Sequence, residues 1–132
     1  MKSLPKFASL IALVVMAGVS QLSLAAELPY NQAQFEQLKA EGKPVVIDVF
    51  ATWCPTCKAQ APSVKAIASD PAFKSVTIFL ADFDQEKALK KSLGISQQST
   101  FIVFRDGKEV ARSTGQTKKE DITVTFAKAL SQ

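Results

Sequence analysis

Val45-Val46-Ile47-Asp48-Val49-Phe50-Ala51-Thr52-Trp53-Cys54-Pro55-Thr56-Cys57-Lys58 decides the reading of this chain. Its first six residues are a β-branched run, apolar on both faces except at Asp48, as expected of a central strand buried between two layers. A pair spaced Cys-x-x-Cys comes within bonding reach when the first cysteine lies at a helix N-terminus and the second one turn in. The first four N–H groups of that helix lack intrahelical partners, and the helix dipole is positive there. Both effects favour a thiolate on Cys54, while Cys57 is shielded inside the first turn. Thiol–disulfide exchange requires that asymmetry, with an exposed sulfur to attack and an inner one to resolve. Pro55 suits a first helical turn because it has no N–H to leave unsatisfied. Trp53 supplies a flat apolar wall along which a partner peptide can lie.

Cys54 and Cys57 are the only cysteines, and the chain has no histidine. Ser-His-Asp and Cys-His hydrolysis therefore cannot be built from it. The alternative reading of the pair is half of a zinc site, but tetrahedral zinc normally needs four Cys or His ligands. A second protomer or carboxylates would have to supply the rest, so redox chemistry is expected, with no metal and no cofactor. Asp48 is the second clue. Among Val45, Val46, Ile47, Val49 and Phe50 its carboxyl should be desolvated and its pKa raised above the ordinary ~3.9. At the end of the strand leading into the Cys54 loop, it can lie beneath the dithiol and take a proton from Cys57 through water. The bland alternative is a carboxylate hydrogen-bonded to local backbone.

Outward from this segment the chain alternates helix and strand. Asn31 can cap a helix over roughly Gln32 to Ala40 that Gly42 ends. A helix runs from the cysteines to about Ser69, with Pro62 inside it as a kink, and Asp70-Pro71 marks a turn. Ser75 to Ala81 reads as a buried strand, with Val76, Ile78 and Leu80 on one face and Phe79 on the other. Asp84 is expected to cap a helix to Ser92, ended by Gly94. Thr100 to Arg105 is an apolar strand that Asp106-Gly107 folds back onto Glu109 to Arg112. Thr117-Lys118-Lys119-Glu120 reads as a capping box for a last helix that buries Ile122, Phe126 and Leu130. The order predicts an α/β domain: a central mixed β-sheet flanked by helices on both faces.

The chain's 132 residues are 47% apolar and 21% charged, which excludes a disordered chain and leaves little room for a second domain. Lys2 and Lys6 precede an uncharged apolar stretch, Phe7 to Val19, and Ser23-Leu24-Ala25 offers small residues at an exit site. These features predict a signal peptide over residues 1–25, cleaved to leave a domain over 26–132. The alternative is an uncleaved membrane anchor, which needs all of Phe7 to Ala26 to reach the ~20 residues of a span. No Arg-Arg pair or cysteine near this stretch suggests the twin-arginine or lipoprotein routes. The +4 net charge falls further once Lys2 and Lys6 are removed, so neither nucleic acid nor an anionic surface is an expected partner. A monomer is expected.

The quoted segment resembles the active-site segment of the thioredoxin family. Pro62 falls where that family kinks its active-site helix, Phe101 to Lys108 is similar to its hairpin, and Gly115 to the glycine bordering its substrate groove. The resemblance covers nearly all of 26–132. It implies a thioredoxin-like fold, a Cys54 nucleophile, a Cys57 resolving thiol forming a redox-active disulfide with it, and an Asp48 proton acceptor. It also implies a substrate groove of Trp53, Pro55, Gln98, Ser99 and Gly115. Three positions depart from the family. Ser99 stands where the family has a cis-proline, so Gln98–Ser99 is expected to be trans. The serine hydroxyl is then near the sulfurs. Leu80 stands where a lysine often neighbours the buried aspartate, and Phe50 replaces a tryptophan.

The expected function is an exported thiol–disulfide oxidoreductase, periplasmic or secreted, acting on cysteine-containing exported proteins. With no histidine between its cysteines it is expected to be a reductase rather than a strong oxidant. Such a reductase needs a membrane electron donor. The competing reading is a non-catalytic thioredoxin-like module that binds a partner or metal through its altered Ser99 loop. Peroxidase chemistry is weaker still, because Ala51 stands where a threonine is usual.

Overall fold

The protein is described by a computed structural model over residues 25–130, so the leader expected over 1–25 lies outside the described residues apart from Ala25. The strands are β1 (Ala26–Pro29), β2 (Val45–Phe50), β3 (Thr77–Asp82), β4 (Thr100–Arg105) and β5 (Lys108–Thr114). The helices are α1 (Gln32–Ala40), α2 (Pro55–Ala68), α3 (Lys87–Leu93) and α4 (Lys119–Ala127), with a 3-10 turn at Pro71–Phe73. The strands form one mixed sheet in the order β1-β3-β2-β4-β5. β3 runs parallel to both β1 and β2, while β2–β4 and β4–β5 are antiparallel. The expected α/β architecture is therefore found, with one strand more than the sequence announced.

Because side chains alternate along a strand, β2 splits its residues between two layers. Val45, Ile47 and Val49 pack with Phe35 of α1 and Leu89 of α3. Val46 faces the other way, onto Val64 and Ile67 of α2 and Ile122 and Phe126 of α4. Asp48 shares that second face, which places its carboxyl under the helix carrying the cysteines. Phe35 meets Phe104 edge-on at 5.1 Å in the first layer, and Phe101 meets Phe126 at 5.0 Å in the second.

Local signals explain most element ends. The Asn31 side chain accepts from Gln34 N–H at 2.9 Å, and Gly42 reverses the chain after α1 with φ +69°. Asp106 and Gly107 both have positive φ, 53° and 76°, the geometry of a two-residue hairpin turn. Two expected caps are absent. α3 begins at Lys87 with no side-chain cap, because Asp84 is engaged elsewhere. α4 begins at Lys119, again without a side-chain cap, so the Thr117 box does not form; Glu120 and Asp121 in its first turn still oppose the dipole favourably. Leu130 lies beyond α4 yet packs against the same core.

β1 was not foreseen. Its four residues include Glu27 and Pro29, a composition that reads as loop, and proline is tolerated there because the strand lies at the sheet edge. It brings a second carboxylate next to β3.

Candidate functional site

Cys54 is the N-cap residue of α2, and its sulfur accepts from Cys57 N–H at 3.1 Å. The two cysteines form a disulfide, with their Cα atoms 5.3 Å apart. The helix entry expected from the sequence is thus in place, including Pro55 in the first turn. The expected difference in exposure is not. Cys54 is only 1% exposed and Cys57 8%, so the outer sulfur is the more covered of the two.

The cover includes Ser99. Its Oγ lies 3.0 Å from Cys54 Sγ and 3.2 Å from Cys57 Sγ. The peptide bonds of the described residues are all trans, as expected at Gln98–Ser99, and Ser99 adopts φ 58°. That left-handed conformation is out of reach for proline, whose ring fixes φ near −65°. The turn before β4 therefore follows a path that a proline could not take without rebuilding it. Gly115 N–H donates to the Ser99 carbonyl at 2.9 Å, so the expected groove glycine is tied directly to the serine.

Behind this turn lies a polar cluster that sequence reasoning missed. Gln60 of α2 is 1% exposed. Its Nε2 donates to Gln116 O at 2.7 Å and, more weakly, to Ser99 O at 3.4 Å, while its Oε1 is buried without a partner. Gln116 Oε1 accepts from Ser113 and Thr125 hydroxyls at 2.8 and 2.9 Å. The available signal was spacing: Cys57, Gln60, Val64 and Ile67 share the buried face of α2, and an amide there demands an explanation.

Asp48 is 7% exposed. Burial, with the nearby Glu27 carboxylate adding to it, pushes its pKa up from the ordinary 3.8 to about 7. The backbone hydrogen bonds of the bland reading are not found among the described residues. Leu80 is its registered neighbour on β3, so that strand offers no cation beside it, although Lys58 lines the same cavity. Asp48, Glu27, Leu80, Phe50 and Cys57 line one cavity of about 260 Å³.

Trp53 stands at the surface, 56% exposed, with its Nε1–H donated to Asp84 Oδ2 at 2.7 Å. Asp84 thus holds the Trp53 indole instead of capping α3, the role expected of it. Pro55 is exposed beside the disulfide. Gln98 is half-buried and contributes no side-chain hydrogen bond to the sulfurs or Ser99. Of the expected groove, Ser99 thus reaches the disulfide and Gly115 is tied to it only through Ser99, while Trp53 and Pro55 flank Cys54 in the chain. No cluster of three potential metal ligands occurs among the described residues.

A family model described as Thioredoxin matches residues 27–128. A thioredoxin of Chlamydia muridarum is 37% identical over 98 residues, 74% of this chain and 93% of that protein. Among solved structures, Trxlp from Edwardsiella tarda superimposes with a TM-score of 0.74 at 39% identity, covering 76% of this chain and 98% of that one. The Malassezia sympodialis thioredoxin gives 0.71 at 26% identity, over 80% and 91%.

Proposed function

The chain belongs to the thioredoxin family and is a thiol–disulfide oxidoreductase acting on protein disulfides; from that premise we propose an exported reductase of other exported proteins. The observation that carries the reading is the Cys54–Cys57 pair at the mouth of α2, with Asp48 in the cavity behind Cys57.

In the reduced protein the Cys54 thiolate attacks one sulfur of a substrate disulfide and releases the other as a thiolate. Cys57 then loses its proton towards Asp48 and attacks Cys54 Sγ. The Cys54–Cys57 disulfide forms, the mixed disulfide breaks, and the second substrate sulfur departs. Two electrons pass from the dithiol to the substrate. Asp48 suits the acceptor role because its pKa of about 7 lets it both take and return a proton near neutrality. The cavity it shares with Cys57 has the volume to hold water between them. Since Cys54 is covered and Ser99 is part of that cover, a substrate reaches its sulfur only when the turn at Ser99 yields.

The reducing direction is supported by what surrounds Cys54. Its sulfur is desolvated, which penalises the thiolate and favours the disulfide, and the hydrogen bonds that offset this come from the neutral Cys57 N–H and Ser99 O–H rather than from a cation. Export is supported by the leader pattern of the sequence and by β1, which begins at the residue that cleavage after Ala25 would leave first. A monomer that draws electrons from a membrane donor completes the reading.

Insulin reduction driven by dithiothreitol tests the activity: wild type is expected to accelerate it and Cys54→Ser to lose the effect entirely. N-terminal sequencing of the protein from fractionated cells tests export, with Ala26 expected first and in the extracytoplasmic fraction. An intact Met1 in the cytoplasmic fraction would overturn that half of the proposal.

A further inference from the structure

We propose that Ser99 is a third member of the redox centre: its hydroxyl stabilises the Cys54 thiolate, and Gln60 is the positioning residue that holds it there. The inference rests on the oxidoreductase reading above and assigns a role to two residues outside the dithiol and its carboxylate.

Both sulfurs lie within hydrogen-bond reach of one buried hydroxyl, at 3.0 and 3.2 Å. Sulfurs in a disulfide carry no proton, so Ser99 O–H is the donor in these contacts. A disulfide sulfur is a weak acceptor, whereas a thiolate bears a full charge and forms a charge-assisted bond about twice as strong as a neutral one. The same contact is therefore worth more after reduction than before it. Cys57 N–H already points at Cys54 Sγ from 3.1 Å, so the thiolate would receive two aligned donors. An interaction that favours the reduced form lowers the Cys54 pKa and makes the pair less reducing than the same pair without the hydroxyl.

The hydroxyl is held rather than incidental. A non-glycine residue at φ 58° persists only where its surroundings over-determine it. Here the Ser99 carbonyl accepts from Gly115 N–H at 2.9 Å and from Gln60 Nε2 at 3.4 Å, and the same Nε2 is anchored on Gln116 O at 2.7 Å. Gln60 lies on α2, three residues beyond Cys57, so one helix carries both the resolving sulfur and the amide that fixes the donor turn. A leucine would fill that space without leaving an oxygen unpaired, as Gln60 Oε1 is. The amide's contribution is its hold on Ser99 and Gln116.

Two measurements test this: the first macroscopic pKa of the reduced dithiol, from thiolate absorbance against pH, and the equilibrium constant for exchange with glutathione. Ser99→Ala is expected to raise that pKa by about one unit and shift the exchange about tenfold towards the disulfide, about 30 mV for a two-electron couple. Ser99→Gly should give the same two shifts without loss of Tm, because glycine tolerates the left-handed conformation. Gln60→Leu should move both quantities in the same direction by a smaller factor. Values within twofold of wild type in the alanine and glycine variants would overturn the role of Ser99, as would a shift in alanine that glycine lacks. Unchanged values in Gln60→Leu would remove Gln60. Failure of wild type to reduce insulin would instead defeat the oxidoreductase reading.

Discussion

β2 presents two unlike faces to the protein. Towards α1 and α3, Val45, Ile47 and Val49 meet only apolar and aromatic partners, Phe35, Phe79 and Phe104 among them. Towards α2, the same strand offers Val46 and then Asp48, and the helix above replies with Cys57 and Gln60. Burial of apolar area is nearly free of chemical demands, whereas each buried polar group must be paired or carry a cost. The first face can therefore be read as the side that secures the fold. The second accepts a raised carboxyl, an orphaned amide oxygen and a covered disulfide, and it is there that the reacting atoms sit.

The contrast is broken most severely on the apolar side. Phe35 is fully buried and touches Tyr30, Phe79 and Phe104 ring to ring. Phe35→Ala is expected to cost about 3–5 kcal/mol of stability, read from denaturant unfolding. The dithiol pKa should stay where it is in the folded fraction. A shift of that pKa would mean that the two faces are coupled through the sheet.

Asp48→Asn probes the other side with the opposite sign. The folded state keeps the Asp48 proton up to about pH 7, whereas the unfolded chain releases it near 3.8. Between those values the native protein binds more protons, so stability falls as pH rises from about 4 to about 7 and remains reduced above. At 1.36 kcal/mol per unit the full loss is roughly 4 kcal/mol. Asp48→Asn should remove the decline, leaving the variant more stable than wild type at pH 8 and similar to it at pH 4. The same change should slow release of the mixed disulfide on the order of 10²-fold, as loss of a positioned proton acceptor does. Equal pH dependence in both proteins would show that Asp48 titrates normally.

The same contrast separates what was legible in the sequence from what was not. The segment Val45 to Lys58 announced the central strand, the helix entry, the cysteine pair and the buried Asp48, because apolar runs and Cys-x-x-Cys spacing are local patterns. Ser99 was legible as a departure, down to its trans bond and the hydroxyl beside the sulfurs. Glu27 was not, since a four-residue edge strand has no periodicity to detect. Gln60 and Gln116 were passed over because each meets its partner from a distant part of the chain. The exposure of Cys54 was misjudged for a related reason. A helix N-terminus says where a sulfur begins, not which turn folds over it.

Asp84 gives the mildest test, at the rim where the chemical face meets solvent. Its backbone N–H donates to Asp82 Oδ1 at 2.8 Å, which sets the turn after β3, and its carboxylate holds the Trp53 indole from 2.7 Å. Both partners are exposed, so the bond is expected to contribute about 1 kcal/mol or less. Asp84→Ala should therefore leave Tm almost unchanged and free the indole to move. If Trp53 serves as a wall for the incoming peptide, KM for insulin should rise about threefold at constant kcat, because the loss falls on binding rather than on the transition state. Asp84→Asn keeps an acceptor and should remain near wild type. A fall in kcat with KM unchanged would mean that the indole acts at the sulfur itself, extending the chemical face out to the surface of the molecule.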